Sequence, residues 1–214
     1  MGELPGRPEW IVDALNKGWR FCCGVDLSGT GRKGNVIFCG AVSASGSRVP
    51  VEVRCGKWSS PELARQLDAI DALYGPEIIL VENNGYQRAF QDWAAADGER
   101  HAWWGRVKGF VTGRNKANAT LGLPGLEVEF ENGVWRVPRR EFADHGGFCD
   151  RGPDGGPCGW CRWVEEMESY PHVGSDDTVM ACWFFREACR LLSGSNVNFR
   201  RARMREGERE MGSF

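Results

Sequence analysis

The sequence predicts one mixed α/β domain, and three observations support that prediction. Strand-like and helix-like segments follow one another in the order β-β-β-α-β-α-β, before a hairpin and a long final helix. The 214 residues are enough for one good core but short for two. No internal repeat is evident. We therefore expect a mixed sheet that begins with an antiparallel β1-β2-β3 meander, continues with parallel strands and is flanked by helices.

The first three strands are predicted at residues 21–27, 35–43 and 48–55. Their connections are short and rich in Gly and Ser, as hairpins require. Residues 1–19 form a lead-in with a short helix from about Pro8 to Lys17. The antiparallel meander follows from these connections.

The second half of the chain alternates helices and strands. Ser59 and Pro61 indicate the start of a helix that Gly75 ends, and residues 77–82 form an apolar strand. The further predicted elements are a helix at 86–96, a strand at 102–110, a hairpin of 126–130 with 134–137, and helices at 162–169 and 177–192. Asn132-Gly133 favours the hairpin because this pair suits a tight turn. We expect the domain to span residues 20–194 and residues 195–214 to be a mobile charged tail.

The composition is that of a soluble globular protein. Hydrophobic residues make up 42% of the chain and charged residues 26%. No run approaches the roughly 18 apolar residues of a membrane-spanning helix, and the first residues lack a signal-peptide pattern. We therefore expect a cytoplasmic protein without membrane contact. The net charge of −2 neither indicates nor excludes nucleic-acid binding, because an acidic centre can offset a basic groove.

Acidic residues stand where predicted elements end or begin. Asp26 follows the first strand, Glu82 ends the fourth, and Asp176 and Asp177 open the last helix. If the first and fourth strands are neighbours, Asp26 and Glu82 lie side by side. Convergent carboxylates can hold two Mg²⁺ or Mn²⁺ ions about 3.5–4 Å apart for hydrolysis of a phosphodiester. Each acid also has a simpler interpretation alone: a helix cap, a turn or a buried hydrogen-bonded acid.

Three ordered stretches carry a resemblance to the nuclease domain of phage terminase large subunits. They are Gly24-Val25-Asp26-Leu27-Ser28, Val81-Glu82-Asn83-Asn84-Gly85-Tyr86-Gln87 and Asp176-Asp177-Thr178-Val179-Met180-Ala181. The segment Thr112-Gly113-Arg114-Asn115-Lys116, with Gly122-Leu123-Pro124-Gly125 and the hairpin after it, is also similar to that family. The resemblance covers roughly residues 20–190.

The resemblance implies a ribonuclease H-like fold and an endonuclease that cuts double-stranded DNA during viral genome packaging. It implies Asp26, Glu82 and Asp177 as ligands of two Mg²⁺ or Mn²⁺ ions, with Asp176 as an auxiliary ligand. A whole terminase large subunit also carries an ATPase, whereas residues 29–34 lack the P-loop pattern. We therefore expect a split subunit or an excised domain that works with a separate packaging ATPase, the small terminase subunit and the portal in the infected bacterium.

A Cys/His-rich loop at residues 141–161 predicts a second kind of metal site. His145, Cys149, Cys158 and Cys161 supply four ligands of the type that tetrahedral Zn²⁺ prefers, including one Cys-x2-Cys pair. Such a zinc would be structural, since no coordination position is left open. The alternative is a reduced, glycine-rich loop with incidental cysteines. The other six cysteines fall in strand or helix patterns and are expected in the core.

Five basic residues near the polar loop and the predicted hairpin are candidates for contact with DNA phosphates. They are Arg114, Lys116, Arg136, Arg139 and Arg140. The simpler alternative is ordinary solvated surface charge.

Two other functions remain open at this point. One is another ribonuclease H-like nuclease, such as a junction resolvase. The other is a zinc-stabilised DNA-binding or assembly subunit without catalysis.

Overall fold

A computed structural model describes residues 7–27, 34–82, 101–112, 122–138, 158–172 and 175–193. The strands are β1 (Arg20–Asp26), β2 (Asn35–Val42), β3 (Arg48–Gly56), β4 (Ile78–Glu82) and β5 (Val107–Phe110). The helices are α1 (Glu9–Asn16), α2 (Ser60–Tyr74), α3 (Pro124–Glu131), α4 (Gly159–Ser169) and α5 (residues 177–193). None of the helices within these ranges is long and apolar enough to cross a membrane.

The five strands form one mixed sheet in the order β3-β2-β1-β4-β5. β2 pairs antiparallel with both β1 and β3, whereas β4 runs parallel to β1 and β5 runs parallel to β4. The predicted antiparallel meander followed by parallel strands is confirmed. β1 lies at the centre, in agreement with its nearly continuous burial.

The sheet buries a separate core on each face. Cys22, Phe38 and Leu80 face one core, which they share with α4 and α5. Val25 and Val81 face the other core, which they share with α2 and with Ile11 of α1. Successive residues of a strand point to opposite faces, so each core takes alternate residues of β1 and β4. This alternation decides which way the acids at the strand ends point.

Gly24 lets α5 approach the centre of the sheet more closely than any side chain would allow. A Cβ atom at Gly24 would lie 2.1 Å from the carbonyl oxygen of Ala181 and 2.2 Å from the backbone nitrogen of Phe185. Both are backbone atoms of α5 and cannot move aside alone. The absence of a side chain at Gly24 therefore sets the distance between β1 and α5.

The hairpin predicted at 126–130 and 134–137 is wrong. The first segment forms α3, in which Pro124 occupies the first turn and therefore costs no hydrogen bond. Asn132 and Gly133 end this helix, and Gly133 adopts a φ of 66°. The second segment makes only an isolated bridge between Trp135 and Arg48. The strand predicted at 102–110 is shortened to β5, because a 3₁₀ turn occupies Trp104–Arg106.

Tertiary contacts explain why residues 124–131 are helical. Glu129 Oε2 accepts a hydrogen bond from Arg48 Nη1 at 2.6 Å, and its Oε1 accepts one from Arg186 Nε at 2.8 Å. Arg48 and Arg186 are 8% and 3% exposed, so both cations need this partner. The ring of Phe130 also stacks on the ring of Trp135, with their centroids 4.8 Å apart. These contacts join β3, α3 and α5, and they override the local turn signal.

We expect Gly24→Ala to lower the free energy of unfolding by about 3 kcal/mol or more, because the new Cβ collides with backbone rather than with a movable side chain. Urea denaturation of the full chain measures this change. Gly105→Ala is the matched control, since its Cβ would meet no heavy atom within 4 Å. Equal losses in the two variants would contradict the close-approach argument.

Candidate active site

Asp26 and Glu82 lie next to each other at one edge of the sheet. They end β1 and β4, and they directly follow the register pair Val25 and Val81. The first and fourth strands are therefore neighbours, as the carboxylate argument required. Alternation along each strand places Asp26 on the same face as Cys22, and Glu82 on the same face as Leu80. Both acids thus face the side of the sheet that α5 covers.

Glu82 is held by the neighbouring strand and the residues that follow it. It stands opposite Phe110 of β5 in the parallel register. The Oγ1 hydroxyl of Thr112 donates a hydrogen bond to Glu82 Oε1. This contact orients the Glu82 carboxylate, and Thr112 was not predicted from the sequence as part of the site.

α5 begins at the edge of the sheet where β1 and β4 end. Cys22 Sγ lies 3.4 Å from Cys189 Sγ, whereas Gly24 meets the backbone at Ala181 and Phe185. Contacts therefore move toward the start of α5 as β1 proceeds toward Asp26, and the two elements run antiparallel. The N-terminal turn of α5 accordingly lies at the same edge as Asp26. Phe110, opposite Glu82, packs against Trp183 of this helix at 5.4 Å.

Asp176 and Asp177 stand at this N-terminal turn. The backbone carbonyl of Asp176 accepts the amide of Met180 at 2.8 Å, which makes Asp176 the capping position. Asp177 is only 4% exposed. Its Oδ2 accepts hydrogen bonds from Ser175 Oγ at 2.8 Å and from Arg162 Nη2 at 3.0 Å.

Arg162 of α4 bridges two buried carboxylates. Its Nε donates to Glu166 Oε1 at 2.8 Å, while its Nη2 donates to Asp177. Glu166, 6% exposed, also accepts the backbone amide of Thr178 at 2.9 Å. Burial lowers the pKa of Arg162, but the hydrogen bond and charge of Glu166 outweigh burial, and the net shift is upward. Arg162 therefore remains a cation, and it ties α4 to the first turn of α5.

Arg162, Ser175 and Glu166 were not predicted from the sequence. Only the spacing of Arg162 and Glu166, four residues apart on a predicted helix, indicated an ion pair. Nothing in that spacing shows that the pair reaches Asp177, because the contact depends on how α4 and α5 pack.

The carboxylates converge on one edge without forming a complete cation-binding group. Across the parts of the chain that the structure describes, no three His, Cys, Asp or Glu side chains are grouped closely enough to hold a metal ion. Asp26 and Glu82 still supply the hard oxygen ligands that Mg²⁺ and Mn²⁺ prefer. Asp177 supplies a further carboxylate at the same edge, held by Arg162 and Ser175. The residue types therefore fit a divalent cation, but Asp26, Glu82 and Asp177 do not lie close enough together to hold one between them.

The predicted zinc loop is described only in part. Cys158 and Cys161 are half-buried at the start of α4, and Cys158 Sγ accepts the backbone amide of Cys161 at 3.4 Å. His145 and Cys149 lie outside the described residues. Five of the six cysteines expected in the core are buried (Cys22, Cys23, Cys39, Cys182 and Cys189), and Cys55 is half-buried.

Of the five candidate DNA contacts, the described residues include Arg136. It is exposed, and its backbone amide donates to the carbonyl of Arg48 at 2.8 Å. The other four, Arg114, Lys116, Arg139 and Arg140, lie outside the described residues, as do the helix predicted at 86–96 and the tail at 195–214.

The sheet order, the single reversed strand β2 and the helices on both faces define the class of fold: the chain has a ribonuclease H-like fold. No protein-family model matches the chain, and no curated protein matches it in sequence.

Among solved structures, the chain is similar to the large terminase nuclease from thermophilic phage G20c with bound zinc. The TM-score is 0.51 at 13% identity, with 79% of this chain and 81% of that chain covered. The magnesium-bound form of the same nuclease gives a TM-score of 0.47 at 16% identity, over 79% and 81% of the two chains. The yeast mitochondrial Holliday junction resolvase Ydc2 gives 0.48 at 11% identity, over 89% and 90%. The fold expected from the terminase-like motifs is confirmed.

We expect Arg162→Met to lower the free energy of unfolding by about 3–5 kcal/mol, because two buried carboxylates lose their cation. Urea denaturation of the full chain measures this loss. Arg65→Met removes the cation of the exposed Arg65–Glu62 pair and should change nothing measurable. A loss as small as that of Arg65→Met would contradict the assigned role of Arg162.

Proposed function

We propose that this protein is a divalent-metal-dependent nuclease that hydrolyses DNA phosphodiester bonds. Asp26, Glu82 and Asp177 are the proposed metal ligands, with Asp176 as an auxiliary one. The observation that carries this proposal is the meeting of three elements at one edge of the sheet: Asp26 and Glu82 end adjacent parallel strands on the face of α5, and α5 begins there.

The roles of the individual side chains follow from their surroundings. Asp26 and Glu82 are half-buried at the strand ends, so their oxygens can reach both a cation and solvent. Thr112 limits the rotation of Glu82, and Arg162 with Ser175 limits the rotation of Asp177. Bound Mg²⁺ or Mn²⁺ would activate the attacking water and stabilise the leaving oxygen. The chain's own contribution is a set of oriented anionic ligands, which would have to move closer together to share a bound ion.

We further propose that the substrate is double-stranded DNA and that cleavage serves viral genome packaging. Two observations support this finer assignment: the ordered terminase-like stretches around Asp26, Glu82 and Asp177, and the fold similarity to the phage G20c nuclease, which was solved with a bound divalent metal. The partners would then be a packaging ATPase, the small terminase subunit and the portal, in the cytoplasm of an infected bacterium. Arg114, Lys116, Arg136, Arg139 and Arg140 would contact the phosphates.

We expect the full chain to nick and linearise supercoiled plasmid with Mg²⁺ or Mn²⁺ and to be inactive with chelator. Asp26→Asn, Glu82→Gln and Asp177→Asn should each reduce the rate by about a hundredfold or more, because each removes a charged ligand. Asp13→Asn is the matched control, since its side chain is 57% exposed on α1. Circular dichroism of each variant checks that the fold is retained.

The same assay separates the proposal from its alternatives. Equal cleavage by the wild type and Asp26→Asn would point to a contaminating nuclease and contradict the proposed site. Faster cleavage of a four-way junction than of a linear duplex of the same sequence would favour a junction resolvase over a packaging nuclease.

We also propose that Cys158 and Cys161 bind a structural Zn²⁺ together with His145 and Cys149. The described half of this site supports the proposal, because the Cys161 amide donates to Cys158 Sγ across a Cys-x2-Cys turn.

Elemental analysis of the purified full chain should find about one Zn²⁺ per molecule. Cys158→Ser and Cys161→Ser should lose it, whereas Cys55→Ser, outside the proposed ligand set, should keep it. Zinc retained in both ligand variants would contradict the assignment.

A further inference from the structure

An acid-rimmed apolar groove lies beside the candidate active site and has no part in the proposed chemistry. α3, the end of α4 and the first turns of α5 enclose a cavity of about 590 Å³. Its apolar lining includes Leu126, Phe130, Met167 and Val179. Val179 lies two residues after Asp177, so the groove adjoins the start of α5. We call this feature the acidic groove.

The rim of the acidic groove carries three carboxylates. Glu127 and Glu131 come from α3 and Glu168 comes from α4, and all three are exposed. No Lys or Arg is among the described residues that line the groove. The carboxylates that the structure describes on this rim repel phosphates. A positively charged ligand would be attracted.

Part of the apolar lining is open to solvent, since Tyr170 is 36% exposed. Exposed apolar surface within a charged rim is typical of an interaction site. A groove between helices that presents an apolar floor fits the apolar face of an amphipathic helix, whose contacts recur at i, i+3 or i+4.

We propose that the acidic groove binds an amphipathic helical segment of a partner protein. The apolar side chains of that segment enter between α3 and the end of α4, and its flanking Lys or Arg residues pair with Glu127, Glu131 and Glu168. The rim charges select a cationic segment, while the apolar floor supplies the larger share of the buried area. This site is independent of nuclease activity, and its test uses binding alone.

The test uses the full chain and two designed helical peptides of about 18 residues, roughly five turns. Both carry Leu and Phe along one face; one has Lys and Arg at the remaining positions, and the other has Glu there. Calorimetric titration should show binding of the cationic peptide and at least about tenfold weaker binding of the acidic one.

Charge-reversal variants locate the binding surface. Glu127→Lys with Glu168→Lys should weaken binding of the cationic peptide by about tenfold or more. Glu165→Lys is the matched control: Glu165 is an exposed residue of α4 outside the lining, and its replacement should leave the affinity unchanged. An equal effect at both places would mean general attraction to an acidic protein and would overturn the proposal.

Two further outcomes would also overturn it. One is the absence of binding by either peptide. The other is binding of the cationic peptide only after Arg200, Arg201, Arg203 and Arg205 are replaced by Gln in the full chain, which would make the chain's own arginine-rich segment the occupant.

Discussion

The close contact between Gly24 and the backbone of α5 is the constraint on which the rest of the structure depends. It brings the helix onto the central strand with no side chain between them, and the contacts of Cys22 with Cys189 and of Gly24 with Ala181 set the helix direction. The start of α5 consequently meets the ends of β1 and β4. Without this contact, nothing would hold the carboxylates of the strands and of the helix at the same edge of the sheet.

Ion pairs determine how helices α3 and α4 are placed against α5. Buried and half-buried carboxylates and guanidinium groups pair in two clusters, one of Arg162 with Asp177 and Glu166, the other of Glu129 with Arg48 and Arg186. Each cluster joins elements that lie far apart in the chain. Removing one partner would leave a buried charge without its counterion. The free-energy cost of that unpaired charge exceeds the stabilisation that the intact pair provides. The two clusters therefore fix where α3 and α4 sit against α5.

The candidate active site and the acidic groove meet at the first turns of α5, and their charges serve different ligands. At the sheet edge, Asp26 and Glu82 can attract a divalent cation. In the groove, Glu127, Glu131 and Glu168 surround apolar surface and can attract a cationic protein segment. A partner in the groove would thus contact the same helix, α5, whose first turn carries Asp177.

The sequence by itself determined the first four strands, the antiparallel start of the sheet and the positions of Asp26, Glu82 and Asp177 at element ends, because apolar periodicity and turn residues are local signals. It left open whether β1 and β4 are neighbours, which the tertiary structure decided. It misassigned residues 124–137, where Asn132-Gly133 suits a hairpin turn and a helix end equally well. Only the tertiary structure decided for the helix, since Glu129 reaches Arg48 and Arg186 from that conformation. Likewise, Arg162, Thr112 and the acidic groove could not be predicted from the sequence. Each depends on contacts between segments that lie far apart in the chain, and no local sequence pattern indicates such contacts.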